Sequence, residues 1–193
     1  NVKQGFALLI LKLMRWTPVG PAPEAKKYVM LSAPHTTNWD LPALLLATWS
    51  QGRSVNFLGK HQLFRGPMNW LMRLLGGIPV RREGRHGMVE SLTAEFAAAD
   101  EIALAIPAAG TRSHSDHWKS GFYRIALAAD VPIVCAFVDY KTKTLGFGPT
   151  MTPTGDPDVD IVFFQEFYAD KVGKFPEKKS EIRFRPDQTS TEG

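Results

Sequence analysis

Apolar positions along the chain alternate between two spacings. Residues 28–33 and 54–59 read as strands, 102–106 and 131–138 are apolar runs with the length of strands buried on both faces, and 143–147 adds a shorter candidate. Between them the spacing turns helical. Residues 39–50 carry Leu41, Leu44, Leu45 and Trp49, 63–75 is apolar with a break at Gly66-Pro67, and 84–99 places Met88, Val89, Leu92 and Phe96 on one face. The stretch 121–129 brings Phe122, Ile125 and Ala129 into register, and 163–172 reads as a closing helix. Strands separated by helices predict an α/β fold: a single domain with a mostly buried, mixed sheet flanked by helices. The strand order is not legible.

The opening stretch, 5–16, is strongly apolar but shorter than the roughly 20 residues needed to span a bilayer, and it lacks a small-residue cleavage site. Residues 1–17 therefore read as an apolar helix at a membrane interface, with Trp16 at headgroup level and Lys12 and Arg15 toward lipid phosphates. The alternative is a helix packed on its own domain. Pro18, Gly20, Pro21 and Pro23 break the chain before the main domain at 28–175, and 176–193 is a charged, proline-bearing tail expected to be loose.

Composition narrows the class. The 193 residues, 44% hydrophobic and 22% charged, suit one folded domain rather than a disordered chain. The single cysteine, Cys135, excludes an intrachain disulfide framework, and its place in an apolar run predicts a buried structural thiol. A net charge of +4 suits an anionic membrane surface or acidic substrates. No basic stripe interleaved with aromatics is present, which argues against nucleic acid.

The strongest local signal for chemistry is Ala33-Pro-His35-Thr-Thr-Asn-Trp-Asp40. Residues five apart lie about 140° apart on a helix, so His35 and Asp40 meet only if the histidine precedes the helix and the aspartate opens it. Thr36, Thr37 and Asn38 are capping types that favour such a start. A carboxylate on one ring nitrogen fixes the tautomer and leaves the other nitrogen free as a general base. His114-Ser-Asp-His117 lacks the ligand set and spacing of a metal site, so no metal is expected. His61 and His86 read as helix-surface residues, and Trp39, Trp49, Trp70 and Phe64 as core or the lining of an apolar tunnel.

The motif is followed in order by Gly59-Lys60-His-Gln-Leu-Phe-Arg-Gly66, Gly76-Gly-Ile-Pro-Val-Arg-Arg82, Gly110-Thr-Arg-Ser113, Trp118-Lys-Ser-Gly-Phe-Tyr123 and Val131-Pro-Ile-Val134. Together these blocks, spanning about 28–167, resemble the glycerolipid acyltransferase family, whose best-known members are 1-acylglycerol-3-phosphate acyltransferases. The resemblance implies transfer of a fatty acyl group from acyl-CoA or acyl carrier protein to a lysolipid at the cytoplasmic face of the inner membrane, with no cofactor. It implies His35 as base, Asp40 as its orienting partner, and Lys60, Arg82 and Arg112 as groups holding an acceptor phosphate. Gly110 and Thr111 would shape the third loop and Pro132 the sheet. The sequence departs from the family in one block: Ala108-Ala109 stand where the pattern has Pro-Glu. A different acceptor, a deliberate substitution and a weakened catalyst all fit that loss.

Overall fold

The computed structural model describes residues 2–80 and 85–185, with Lys60, Leu63, Val80, Arg85 and His86 described by their backbone alone. An opening helix, α1 (Val2–Met14), leads into strands β1 (Thr17–Val19) and β2 (Lys27–Ser32). Then follow α2 (Asp40–Ser50), β3 (Asn56–Lys60), α3 (Pro67–Leu74), β4 (Gly77–Val80), α4 (Arg85–Ala98) and β5 (Ile102–Pro107). The chain closes through α5 (Gly121–Ala128), β6 (Ile133–Asp139), β7 (Thr144–Met151) and α6 (Pro157–Tyr168). The described strands form one seven-stranded sheet in the order β1-β7-β6-β2-β5-β3-β4. The β6-β2-β5-β3-β4 pairs are parallel; β7 runs antiparallel to β6, and β1 pairs with β7 in parallel. The α/β expectation with a mixed, buried sheet therefore holds.

The strand order sorts the helices. The chain moves from β2 through α2 to β3 and through α3 to β4, then returns through α4 to β5 and through α5 to β6. Right-handed crossovers in opposite directions place their helices on opposite faces. The core divides accordingly, and alternate residues of each central strand serve the two halves. Tyr28, Met30, Ala103, Ala105, Val134 and Ala136 pack with Leu44 and Leu45 of α2, and Met72 of α3 joins that cluster. Val29, Leu31, Leu104, Ile133 and Cys135 pack with Leu92 and Phe96 of α4, Phe122 and Ile125 of α5, and Phe164 and Tyr168 of α6. Burial pushes the Cys135 thiol up to about 12, as expected of a structural cysteine.

Several boundaries differ from the sequence reading, each for a local reason. The 63–75 stretch divides into a 3-10 turn (His61–Phe64) and α3, because Gly66 takes a φ of 57° between them. The closing helix starts at Pro157 rather than 163: Asp156 accepts the N–H groups of Asp158 and Val159 and caps it there. Residues 17–19, read as part of a break, add an edge strand. The tail is not loose as far as 185. Phe184 is buried against Phe122 and Tyr123, and the Lys179 ammonium donates to the carbonyls of Tyr168, Ala169 and Lys171 at the end of α6.

Tyr168 joins α6 to the centre of the sheet. A register shift between Val134 and Ala136 interrupts the β6–β7 ladder. Between β6 and β2, its other neighbour, the fully buried Tyr168 hydroxyl accepts the Ala136 N–H at 3.1 Å and donates to the Leu31 carbonyl at 2.7 Å. Replacing Tyr168 with Phe removes that bridge from the core. The expected loss is about 1–3 kcal/mol of stability, read as a lower denaturant midpoint at unchanged slope.

Candidate active site

The candidate residues gather at the carboxyl ends of the parallel strands. In open α/β sheets that edge receives ligands, at the point where adjacent strands send their helices to opposite faces. Here the switch falls between β2, which leads into α2, and β5, which leads through a long loop into α5. His35 follows β2 by three residues, after a cis Ala33–Pro34 bond, and Asp40 is the first residue of α2. The arrangement the spacing demanded is thus present, a histidine in the loop and an aspartate opening the helix. The capping expectation is only partly met. Trp39 holds the cap position without a side-chain bond, while Thr37 Oγ1 accepts the Trp39 N–H at 3.4 Å.

His35 Nδ1 lies 3.1 Å from Asp40 Oδ2, the same oxygen that accepts the N–H groups of Thr36 at 2.8 Å and Thr37 at 2.9 Å. Asp40 Oδ1 accepts from the Tyr140 hydroxyl at 3.0 Å. These donors, with the positive end of α2, hold a carboxylate that is only 2% exposed without leaving it unpaired. Nδ1–H donation to Asp40 leaves Nε2 as the acceptor of the ring, and the imidazole is 21% exposed. Burial, followed by the Asp40 charge and hydrogen bond, raises the Tyr140 phenol well above its ordinary value, so it remains a donor.

Two cavities meet at His35. One, of about 140 Å³, lies between α2 and the sheet and is lined by His35, Asp40, Leu41, Leu44, Phe57 and Leu58, among others. The smaller one lies on the opposite side of the ring, against Ala108, Ala109, Trp118, Tyr168 and Lys179. Ala109 is buried, so the position where the family pattern has glutamate faces the interior rather than solvent.

The third loop reaches the dyad. Gly110 has a φ of 65°, and a Cβ there would lie 2.9 Å from Lys119 Cδ. Thr111 Oγ1 accepts the Ser113 N–H. The exposed Arg112 donates to the Asn38 side chain, which places its guanidinium beside the His35–Asp40 loop. Lys60 ends β3 at the same edge of the sheet, but its side chain, like all of Arg82, lies outside the described residues. His114 and His117 have protein partners, the Lys179 carbonyl and Asp116 respectively. Among the described residues no group of three or more histidine, cysteine, aspartate or glutamate side chains is arranged to hold a metal.

Two features of the site were missed in the sequence. Tyr140 lies 100 residues beyond Asp40 and belongs to no recognised block. The segment after α6 packs on the motif itself: Phe175 N–H donates to Thr36 Oγ1, and a Cβ at Gly173 would lie 2.7 Å from the Thr36 side chain. A lone tyrosine at a strand end and a glycine in a polar stretch carry no periodic signal, so neither was detectable.

Comparison with curated proteins gave no match. Among solved structures, the fold is similar to the crystal structure of the 1-acyl-sn-glycerophosphate acyltransferase PlsC from Thermotoga maritima. The identity is 19%, the match covers 79% of this chain and 68% of that one, and the TM-score is 0.54. Residues 20–139, which hold the dyad, the Gly110–Arg112 loop and all strands from β2 to β6, match the family model described as Acyltransferase. The chain belongs to the acyltransferase family, and it is an enzyme of that class.

Proposed function

We propose that the protein transfers a fatty acyl group from a carrier thioester, acyl-CoA or acyl carrier protein, to the free hydroxyl of a lysolipid such as lysophosphatidate. The observation that carries this reading is the His35–Asp40 hydrogen bond at the mouth of an apolar cleft on the switch-point edge of the sheet. His35 Nε2 takes the proton of the acceptor hydroxyl as its oxygen attacks the thioester carbonyl carbon. Asp40 stabilises the imidazolium that forms. As the tetrahedral intermediate collapses, the carbon–sulfur bond breaks and the thiolate leaves with that proton. The alkyl chain of one substrate occupies the cleft beside Leu41, Leu44 and Phe57, which excludes water from the thioester. Arg112, held beside the dyad by Asn38, binds the acceptor phosphate together with Lys60 and Arg82. The chemistry needs no cofactor.

A lysolipid acceptor places the enzyme on a membrane, and α1 is built for that position. Ala7 and Leu11 are buried against the domain, where α1 packs on α2. At 100° per residue, Val2, Phe6, Leu9 and Leu13 fall on the opposite side, and all four are exposed. Lys3 and Lys12 flank that stripe, within reach of lipid phosphates. No described helix is long and apolar enough to cross a membrane. The exposed Met68, Trp70, Leu71 and Leu74 of α3 lie on the helical layer that α3 shares with α2, over the same half of the core. We place the enzyme as a peripheral or monotopic protein on the cytoplasmic face of the inner membrane, where carrier thioesters are available.

The altered third block, with Ala108-Ala109 in place of Pro-Glu, is the ground for a second acceptor class, a lyso-aminolipid without phosphate.

Three measurements test these assignments. With long-chain acyl-CoA or acyl carrier protein and a panel of lysolipids, the unmutated protein is expected to give diacylated product by mass spectrometry. His35→Ala should give none, and Asp40→Asn should lose on the order of 10²–10⁴ in kcat. An unmutated protein inactive with every pair would instead mark an impaired, lipid-binding family member. For a phosphate acceptor, Arg112→Ala should raise the acceptor KM more than about tenfold; an unchanged KM would favour the aminolipid. In vesicle flotation, Phe6→Glu/Leu9→Glu/Leu13→Glu should leave the folded protein in the aqueous fraction, while the unmutated chain floats with anionic vesicles.

A further inference from the structure

The Asp40 carboxylate is bonded unevenly. Oδ2 takes the His35 ring and the Thr36 and Thr37 N–H groups, all from the three residues of one loop. Those bonds pin one oxygen but do not by themselves set the plane of the carboxylate, because its terminal torsion has a broad, shallow preference. Oδ1 is reached from a distant part of the chain, by Tyr140 at the end of β6. Two oxygens bonded from two directions define that plane, and with it the lone pair that Oδ2 presents to His35.

Tyr140 is itself held on every side. Its N–H donates to the Val172 carbonyl at 2.9 Å. The preceding Asp139, buried, accepts from Lys141 N–H, Thr142 Oγ1 and Val172 N–H, and so fixes the turn that carries the tyrosine. The ring meets Trp16 edge-on, centroids 5.1 Å apart at 87°, in a cluster with Leu11 of α1, Ala47 of α2, and Val138 and Leu145 of the β6–β7 hairpin. Trp16 follows α1 by two residues, so the seating of α1 is two side-chain contacts from Asp40.

We propose that Tyr140 is a positioning residue for acyl transfer, donating to Asp40 Oδ1 so that the carboxylate keeps the orientation that holds His35 as base. The proposal rests on reading His35 as the general base. The same bond stabilises the carboxylate as an anion, so that the proton taken from the acceptor stays on the imidazole until the thiolate leaves.

The test uses the full chain, with Tyr140→Phe compared with Tyr123→Phe. The second variant is a matched control, since Tyr123 donates to the buried Asp160 at 2.8 Å away from the dyad. Both lose one tyrosine–carboxylate hydrogen bond, and Tyr123→Phe also loses the bond its hydroxyl accepts from the Gly155 N–H. We expect Tyr140→Phe to lower kcat about tenfold or more, the rate equivalent of a hydrogen bond to a charged group, with both KM values unchanged. Tyr123→Phe should keep the kcat of the unmutated protein. By proton NMR, the His35 Nδ1–H resonance should move upfield and broaden in Tyr140→Phe but not in Tyr123→Phe. An unmoved resonance with full kcat in Tyr140→Phe, or an equal fall of kcat in both variants, would overturn the proposal. If the unmutated protein transfers no acyl group, the proposed function fails separately, and the resonance alone decides the role of Tyr140.

Discussion

One buried carboxylate organises the edge of the sheet that holds the candidate active site. Asp40 accepts from the loop after β2 through Thr36, Thr37 and His35, and from the β6–β7 turn through Tyr140. A carboxylate that is 2% exposed costs several kcal/mol if left unpaired. The loop, the start of α2 and the hairpin turn must therefore close around it together. The same requirement that makes the fold unique at this edge sets the imidazole toward the cleft.

The sheet supplies the setting. Five parallel strands end at one edge, and the connections from β2 and β5 depart to opposite faces, which opens a crevice between them. Parallel strands buried on both faces carry apolar side chains throughout, so polar groups appear only where the strands stop. His35, the Gly110–Arg112 loop and Tyr140 all lie just beyond strand ends, and Lys60 ends its own. On one side of His35 the apolar cleft is walled by α2. On the other, Ala108, Ala109, Trp118 and Tyr168 form a compact packed wall braced by the segment after α6.

The C-terminal segment has a larger part in the site than its composition implies. Lys179 ties back to the end of α6 with three carbonyl bonds, Phe184 enters the core, and the 173–175 stretch rests on Thr36. Each anchor is a single residue in an otherwise polar stretch. Periodicity registers repeated apolar contacts, and a tether made of one ammonium, one ring and one glycine produces none. The same reason explains why Asp156-Pro157 placed the last helix earlier than its apolar run: a cap is one residue, not a pattern.

What the sequence alone determined is what depends on neighbours along the chain. The apolar runs at 28–33, 102–106 and 131–138 became β2, β5 and β6, and the helical spacing after Asp40 became α2. The His35–Asp40 spacing was sufficient to require a loop histidine facing a helix-opening aspartate, because helix geometry permits no other meeting. The ordered blocks pointed to the acyltransferase family, which the match over 20–139 establishes. Tertiary structure decided the rest: the strand order, the Tyr168 hydroxyl bridging β6 and β2, the meeting of Arg112 with Asn38, and the bond from Tyr140 to Asp40. These join residues 32 to 100 or more positions apart, or side chains on different loops, and each is selected by the need to satisfy a polar group under cover or by where a crossover leaves a loop. No local spacing encodes that selection.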